Sequence, residues 1–318
     1  MVCPKCGANI IEGDNFCEDC GASIKNISRD GCDALVKKMS SDGCGTSIKK
    51  MDSDGCACQD CKVDIKSDIV VVDAYLAVAS NIGRKHPKNE DAGTVIKCEN
   101  GSVILAVADG VSSAVNATSA SLHAISTVRE VLTGESDIGI DLIKTAISKA
   151  NDIILGLPSE IRPDGIYGPE TTIVTAVVVG DKITICWVGD SRAYIIGETM
   201  QELLTTDDSW IELVVASGEM TRGQATVDKR AHYVTQVLGM HDQPMEVHSL
   251  EHKLEEGQML LLCSDGLWNY MQGDNDLLKA ILDFGIEKDA IEICEHLVEL
   301  ANNAGGHDNI TVAILKRV

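Results

Sequence analysis

The stretch Val103-Ile104-Leu105-Ala106-Val107-Ala108-Asp109-Gly110 is a short apolar run that ends on an Asp-Gly pair. A run of this length bounded by a turn signal predicts a buried strand, and Asp-Gly is favourable turn chemistry. The same signal recurs along the chain. Further strands are predicted over Val70–Ala79, Thr172–Val179, Ile183–Val188, Met259–Cys263 and Ile310–Leu315.

Apolar positions with helical spacing occur between these strands and are clearest near the end of the chain. One face of a predicted helix would be lined by Ala290, Cys294, Leu297, Val298 and Ala301. Strands that alternate with amphipathic helices predict an α/β domain. This pattern begins near Asp68 and continues to Val318.

The composition excludes several classes of protein. Apolar runs such as Ala176–Val179 are far shorter than the ~18 to 20 residues of a membrane-spanning helix. The N-terminus lacks the apolar core of a secretory signal, so we expect a cytoplasmic protein with no membrane partner. Lys and Arg number 27 against 49 Asp and Glu, a net charge of -22, which argues against nucleic acid as a partner.

The cysteines divide the chain into two parts. Nine of the 13 lie before residue 62, where dense pairs in a reducing compartment favour metal ligation over disulfides. The other four are scattered through apolar stretches and are expected to be small core residues: Cys98, Cys186, Cys263 and Cys294.

Two Cys-x2-Cys-Gly knuckles, Cys3-Pro4-Lys5-Cys6-Gly7 and Cys17-Glu18-Asp19-Cys20-Gly21, stand at the N-terminus. Four thiolates paired in this way can close a tetrahedral zinc site, and so small a unit needs the metal in place of a hydrophobic core. A redox-active pair is the alternative, which the duplication disfavours. We predict a structural zinc ribbon over residues 1–26, with Cys3, Cys6, Cys17 and Cys20 as the zinc ligands.

Residues 27–67 contain a sequence that repeats with a period of twelve. Three copies begin at Ser28-Arg29-Asp30-Gly31-Cys32, Ser40-Ser41-Asp42-Gly43-Cys44 and Asp52-Ser53-Asp54-Gly55-Cys56. A twelve-residue unit buries little surface by itself, so we interpret these Asp-Gly-Cys repeats as a linker. The alternative is a second metal site in which Cys58 and Cys61 act with two of the repeat cysteines.

Acidic residues stand at or beside the ends of the predicted strands. They are Glu90-Asp91, Asp109-Gly110, Asp190-Ser191, Asp265-Gly266 and Asp308-Asn309. Any one of them alone is an ordinary turn residue, and general acidity can serve solubility. Five together are different, because converging carboxylates repel one another unless a cation neutralises them. The pattern indicates Mg2+ or Mn2+, which prefer oxygen ligands.

The acidic residues lie within five longer motifs. They read Asn89-Glu90-Asp91-Ala92, Ala108-Asp109-Gly110, Val188-Gly189-Asp190-Ser191-Arg192-Ala193-Tyr194, Cys263-Ser264-Asp265-Gly266-Leu267-Trp268 and Gly306-His307-Asp308-Asn309-Ile310-Thr311-Val312. In order and spacing the motifs resemble those of the PP2C-type metal-dependent serine/threonine protein phosphatases, and residues 168–172 and 204–209 look like weaker members. The resemblance covers residues 68–318 and leaves the ribbon and the repeats outside. It implies a PP2C-like α-β-β-α sandwich, in which helices flank two central antiparallel sheets.

The resemblance also implies a two-metal catalytic site. Asp109 would bridge two ions, Mn2+ or Mg2+. The Gly110 carbonyl and a water held by Glu90 would also be ligands of one ion. Asp265 and Asp308 would be ligands of the other ion. A water activated by both ions would then hydrolyse phosphoserine or phosphothreonine in proteins, the products of a Ser/Thr kinase.

Two further aspartates take secondary roles in this comparison. Asp91 would orient the attacking water. Asp190 would serve a third and weaker metal position, because Asn269 stands where the family often has a carboxylate.

Two positions depart from the family pattern. His86 occupies the place of the phosphate-binding arginine, and Ser112-Ser113 replace a glycine pair. A protonated His86 or the nearby Arg84 would be the substrate-binding cation, although neither supplies the two-pronged contact of an arginine at that position. The alternative for His86 is an ordinary loop residue.

The family places a mobile flap between Asp208 and Gly239, and residues 217–224 are polar and glycine-rich enough to belong to one. An ordinary surface loop is the alternative. The histidines that follow lack ligand spacing and are expected at the surface: His232, His241 and His248.

Three functions remain to be compared. The leading hypothesis is a metal-dependent phosphoserine and phosphothreonine phosphatase whose zinc ribbon is an accessory module for a protein partner. The alternative is a catalytically weak binding protein of the same fold that docks partners through the ribbon, and His86 and Ser112-Ser113 are its support. A nucleic-acid-binding ribbon protein is disfavoured by the acidic charge and by an aromatic content of 3%.

Overall fold

The computed structural model describes residues 67–135, 137–163, 165–241 and 244–318. The predicted ribbon over 1–26 with its four cysteine ligands, and all of the predicted linker over 27–67 except Ser67, lie outside the described residues.

The described part of the chain contains thirteen strands, all paired antiparallel. In chain order they are β1 (Ser67–Asp73), β2 (Leu76–Asn81), β3 (Ala92–Lys97), β4 (Val103–Ala108), β5 (Glu160–Arg162), β6 (Gly165–Tyr167), β7 (Ile173–Val179), β8 (Lys182–Val188), β9 (Arg192–Ile196), β10 (Gln201–Leu203), β11 (His248–Lys253), β12 (Met259–Cys263) and β13 (Ile310–Lys316). One sheet has the order β1-β2-β13-β12-β9-β10 and the other has the order β11-β8-β7-β4-β3, while β5 and β6 form a separate hairpin.

Seven helices accompany the strands in the described residues. They are α1 (Ala117–Leu132), α2 (Ile140–Leu155), α3 (Trp210–Ala216), α4 (Arg222–Ala225), α5 (Asp265–Trp268), α6 (Asp276–Phe284) and α7 (Ala290–Ala304). Helices α6 and α7 pack on the six-stranded sheet, and α1 and α2 pack on the five-stranded sheet. The architecture is the α-β-β-α sandwich that the family resemblance implies.

Strand β2 shows how the sequence builds these layers. Successive side chains of a strand point to opposite faces. Leu76 and Val78 belong to the apolar core between the two sheets, whereas Ala77 and Ala79 pack against the helices outside. The strand is apolar at every one of these positions because both of its faces are covered.

Most predicted strands are confirmed, and one is wrong. Strands β4 and β12 have the predicted bounds, but the single strand predicted over Val70–Ala79 is a hairpin of β1 and β2. Asp73 makes the turn, since its carboxylate accepts a hydrogen bond of 2.9 Å from the Tyr75 backbone N-H. One aspartate in an apolar run is a weak turn signal, so the sequence pattern missed it.

The predicted helix face is confirmed, because all five of its residues are buried in α7. Of the four cysteines expected in the core, Cys186, Cys263 and Cys294 are buried, whereas Cys98 is half-buried beyond the end of β3. Within the described residues, no helix combines the length and the apolar character needed to cross a lipid bilayer.

Candidate active site

Two Asp-Gly pairs, Asp109-Gly110 after β4 and Asp265-Gly266 at the start of α5, bring the acidic motifs together. The Gly110 N-H donates to the Glu90 carbonyl at 3.2 Å, and a Cβ on Gly110 would lie only 2.5 Å from that oxygen. A Cβ on Gly266 would overlap the carbonyl oxygen of Asn309. Only glycine permits such approaches. Asp109 is therefore held beside the loop of Glu90, and Asp265 beside the loop of Asp308.

Asp91 is fixed by two hydroxyl groups. Its Oδ2 accepts hydrogen bonds from Ser264 Oγ at 2.8 Å and from Thr311 Oγ1 at 2.7 Å, and all three residues are buried. Sequence reasoning did not identify this role for Ser264 and Thr311. The available signal was a hydroxyl residue in an otherwise apolar buried stretch.

Thr171 and Thr172 hold the backbone of Asp109. The Asp109 carbonyl accepts from Thr171 Oγ1 and from the Thr172 N-H, both at 2.8 Å, and the Asp109 N-H donates to Thr172 Oγ1 at 3.1 Å. The weak motif over residues 168–172 thus supports Asp109 rather than contributing a carboxylate of its own.

Asn309 clamps the first acidic loop. Its Oδ1 accepts from the Glu90 N-H at 2.7 Å, and its Nδ2 donates to the carbonyls of Ile82 and Lys88. The side chain is 1% exposed. The clamp joins the two ends of the domain sequence and places Glu90 next to Asp308.

Asp190 enters the site from the turn between β8 and β9. It is buried, and its carbonyl accepts a 2.9 Å hydrogen bond from Trp268 Nε1. Beside it, Arg192 Nη2 forms a buried ion pair of 2.7 Å with Asp207, and the guanidinium lies 3.7 Å from the centre of the Trp268 ring. The Asp190 turn is therefore braced from β9 and α5.

The carboxylates share one electrostatic environment. Burial raises the pKa of Asp91 to about 7. The hydrogen bonds from Thr311 and Ser264 lower this pKa, whereas repulsion from Asp265 and Asp308 raises it further. Burial also raises the pKa of Asp265 to about 6, and Asp308 adds to it. For Asp109 burial is again the main cause, followed by repulsion from Asp91, Asp265, Asp190 and Asp308. Such mutual repulsion requires that the side chains lie close together.

Asp190 belongs to the same group. Burial raises its pKa well above the ordinary value, and Asp265 and Asp207 add to the shift while Arg192 opposes it. The structure thus brings together five of the predicted acids: Asp91, Asp109, Asp190, Asp265 and Asp308.

The buried oxygens of this cluster fit a hard divalent cation. Asp91 Oδ1, Asp265 Oδ1 and Asn269 Oδ1 are buried without a hydrogen-bond partner, which is costly for a polar atom unless a ligand satisfies it. In the described part of the chain no three His, Cys, Asp or Glu side chains already converge on one ion.

The predicted phosphate-binding residues occupy different places. His86 Nε2 lies 3.4 Å from Asp308 Oδ1, so this side chain is at the edge of the cluster. The Arg84 guanidinium instead binds the end of α7, where Nε donates to the Asn302 carbonyl at 2.6 Å and Nη2 to Asn303 Oδ1 at 3.0 Å. Arg84 would have to break these bonds to reach a phosphate.

Other residues near the cluster are more exposed. Lys88 Nζ lies 3.0 Å from Glu90 Oε1 and is half exposed, so it supplies a positive charge beside the site. Ser112 and Ser113 are exposed.

We expect the substitution His86→Arg to strengthen inhibition by inorganic phosphate about tenfold. An arginine at this position offers a planar fork to phosphate oxygens, whereas histidine offers one N-H. The measurement is the inhibition constant of phosphate for the hydrolysis of p-nitrophenyl phosphate. Lys85→Arg, at an exposed position of the same loop, is the matched control. Equal constants for the two variants would contradict the expectation that His86 occupies the phosphate-binding position.

The predicted flap has more structure than a plain loop. Residues 217–221 connect α3 to α4, and Arg222 at the start of α4 pairs with Glu212 of α3 at 2.7 Å. The two ends meet in a bridge between Ser209 and Val234. We call residues 209–234 the flap.

Two of the three histidines after the predicted flap are exposed as expected, His232 and His241. His248 differs, because its Nε2 lies 2.8 Å from Asp208 Oδ1 and its ring packs 5.3 Å from that of Trp187.

Known proteins resemble the domain that holds this cluster. The Serine/threonine phosphatase stp of Listeria monocytogenes is 30% identical over 244 residues, which are 74% of this chain and 92% of the relative. The solved serine/threonine phosphatase of S. agalactiae is 28% identical with a TM-score of 0.66, covering 79% of this chain and 100% of that one.

A second solved structure contains metal. It is the catalytic domain of the serine threonine protein phosphatase PstP in complex with two manganese ions, 26% identical with a TM-score of 0.62, and it covers 76% of this chain and 96% of that chain.

Family models match both parts of the chain. The zinc-ribbon domain model matches residues 2–24, in agreement with the predicted ribbon. The Protein phosphatase 2C model matches residues 79–287, which contain four of the five acidic motifs, and Asp308 lies beyond it. The sequence-based identification of a phosphatase enzyme is confirmed, and the chain belongs to the protein phosphatase 2C family.

Proposed function

We propose that this chain hydrolyses phosphoserine and phosphothreonine in proteins at the aspartate cluster, with two divalent cations as cofactors. The observation that carries the proposal is the pair of buried, unpartnered oxygens Asp91 Oδ1 and Asp265 Oδ1 within a group of mutually repelling aspartates. Membership in the family and the two manganese ions of the PstP structure support it.

The chain supplies the ligands and the orientation. Asp109, Asp265 and Asp308 would hold one ion, and Asp109 with the Gly110 carbonyl and Glu90, through a water, would hold the other. When bound, the ions supply positive charge to the phosphoryl oxygens and lower the pKa of a water so that it attacks phosphorus.

The remaining groups position the reactants. Asp91, held by Ser264 and Thr311, presents one fixed carboxylate oxygen toward the cluster and would orient the attacking water. His86 at the rim would contact the phosphate of the substrate. Asp190 and the buried Asn269 Oδ1 would form a third and weaker metal position.

The ribbon is proposed as a structural zinc module for a protein partner. Four cysteines in two knuckles, and the zinc-ribbon match over residues 2–24, support zinc bound by Cys3, Cys6, Cys17 and Cys20. We further propose that the protein acts in the cytoplasm on the products of a Ser/Thr kinase.

The test of this function is release of phosphate from a phosphothreonine peptide by the full chain. We expect turnover that requires added Mn2+ and falls to background when EDTA is present, because the carboxylates alone cannot neutralise the phosphoryl oxygens. A chain without residues 1–66 is the control for the ribbon and should keep the same dependence on Mn2+.

Two outcomes would contradict the proposal. Zinc-dependent capture of a partner without any Mn2+-dependent turnover would favour the catalytically weak binding protein. Loss of all turnover in a folded chain that lacks residues 1–66 would contradict the division into an accessory ribbon and a complete catalytic domain.

A further inference from the structure

The Asp208 carboxylate joins three separate segments. It stands directly before the flap and is 14% exposed. Oδ2 accepts hydrogen bonds from the Gly189 N-H at 2.8 Å and from Gln236 Nε2 at 2.9 Å, and Oδ1 lies 2.8 Å from His248 Nε2. One carboxylate therefore touches the β8–β9 turn, the segment that follows the flap, and the first residue of β11.

The backbone of Asp208 connects the same places. Its N-H donates to the Gly189 carbonyl at 3.0 Å, and its carbonyl accepts from the Thr235 N-H at 2.7 Å. The next residue, Ser209, forms the bridge with Val234 that closes the flap. Asp208 thus sits where the chain enters and leaves the flap.

On the other side of this junction lies the aspartate cluster. Gly189 is followed directly by Asp190, whose carboxylate interacts with Asp265. The Gly189 N-H belongs to the peptide unit before Gly189, whereas the Gly189 carbonyl, which accepts from the Asp208 N-H at 3.0 Å, belongs to the peptide unit that carries the Asp190 nitrogen. Asp208 therefore holds both peptide units of Gly189, the residue to which Asp190 is bonded.

The third contact is anchored to the five-stranded sheet. The His248 ring packs against Trp187, and Trp187 Nε1 donates to the Thr206 carbonyl at 2.9 Å. Gln236 is also held by Glu246, because the Nε2 that donates to Asp208 donates to the Glu246 carbonyl at 2.9 Å as well, and Oε1 accepts from the Glu246 N-H. The partners of Asp208 are therefore themselves held by further contacts.

We propose that Asp208 is a positioning residue that couples the flap to the Asp190 carboxylate. The proposal rests on the proposed phosphatase function, in which Asp190 serves the weaker metal position, and it adds that the flap, which begins directly after Asp208, contacts the protein substrate. Hydrogen bonds to an ionised acceptor are roughly twice as strong as those between two neutral groups. A single carboxylate is therefore sufficient to connect the flap with the β8–β9 turn.

The test uses the full chain and four variants. Asp208→Ala removes all three side-chain contacts, and Asp208→Asn keeps the shape. Gln236→Ala removes the Asp208 contact on the flap side, together with the bonds between Gln236 and Glu246, and leaves the contacts of Asp208 with Gly189 and His248 in place. Asp181→Ala is the matched control, because Asp181 is a half-exposed aspartate whose partner Lys253, at 3.5 Å, also lies on β11.

Three readouts separate positioning from general stability. Trypsin cleavage after Arg222 and Lys229, both exposed in the flap, reports on flap anchoring. The KM for a phosphothreonine peptide is compared with kcat for p-nitrophenyl phosphate at saturating Mn2+. The Mn2+ concentration for half-maximal turnover reports on the metal positions.

For Asp208→Ala we expect faster flap cleavage, a peptide KM raised about tenfold, a kcat for p-nitrophenyl phosphate within about twofold of the unaltered chain, and a higher Mn2+ requirement. Gln236→Ala should reproduce the flap effects without the Mn2+ effect. Asp208→Asn should lie between Asp208→Ala and the unaltered chain.

The inference is overturned if Asp208→Ala matches Asp181→Ala in all three readouts, or if it lowers kcat for both substrates equally without faster flap cleavage. If Asp208→Ala does not fold, Gln236→Ala decides, and unchanged flap cleavage in that variant overturns the coupling. A chain that releases no phosphate at all would refute the proposed function instead, and the trypsin comparison would still test the role of Asp208.

Discussion

The Asp109→Asn variant is expected to lose about a thousandfold or more of the Mn2+-dependent peptide turnover and yet to melt at a higher temperature than the unaltered chain when no metal is added. Asp109 feels repulsion from four other aspartates, beyond the burial that is the main cause of its raised pKa. Neutralising it removes that repulsion and removes the proposed bridging ligand of both ions. Metal charge stabilises a phosphoryl-transfer transition state by several kcal/mol, and ~1.4 kcal/mol corresponds to about tenfold in rate.

The measurements for this variant are phosphate release from the peptide and thermal unfolding at about pH 8 in a chelated buffer. Each kcal/mol gained should raise the melting temperature by about 2 to 4 °C in a domain of this size. Asp283→Asn, at an exposed position of α6, should change neither quantity. A variant at Asp109 that melts lower and keeps its turnover would refute the role of Asp109 at the centre of the cluster.

The second large effect is the dependence of stability on pH and Mn2+. The pKa of Asp91 is raised by burial from 3.8 to about 7, so the folded chain binds a proton more tightly than the unfolded chain does. The stability associated with this proton is fully present below about pH 4 and is lost as the pH rises through about 7. Between about pH 5 and about pH 8 the metal-free protein should lose roughly 2 kcal/mol at this residue.

Mn2+ should reverse this loss, because it binds the ionised carboxylates and competes with protons. The stabilisation by Mn2+ should therefore be larger at about pH 8 than at about pH 5. Thermal or urea unfolding at both pH values, with and without Mn2+, measures it, and a chain without residues 1–66 separates the effect from zinc. Asp91→Asn should flatten the pH dependence. A Mn2+ effect that is equal at both pH values would contradict a cluster that holds protons at neutral pH.

Local patterns in the sequence predicted many of the strands and helices of the fold. Strands β4 and β12 have the bounds that their apolar runs predict, and the buried face of α7 follows the helical spacing of Ala290 to Ala301. These predictions succeed because the repeat of buried side chains along a single strand or helix spans only a few residues of sequence. The hairpin of β1 and β2 was missed because a side-chain contact of Asp73 decides it.

Identifying the candidate site required both the sequence motifs and the tertiary structure. The motifs identified the acids and, through the family resemblance, their expected roles. They did not show that Ser264 and Thr311, separated from Asp91 by 173 and 220 positions, would hold its carboxylate. Nor did they show that Arg84 would be engaged at the end of α7, since guanidinium partners depend on what the fold places nearby.

The sequence by itself therefore determined the alternation of strands and helices, the identity of the acids and the paired cysteines that match the zinc-ribbon model, since each depends on residues close together along the chain. Only the tertiary structure decided which loops meet. Antiparallel pairing of β2 with β13 unites opposite ends of the domain, and the close contact of Gly266 with Asn309 brings Asp265 beside the loop of Asp308. No short-range spacing encodes such contacts.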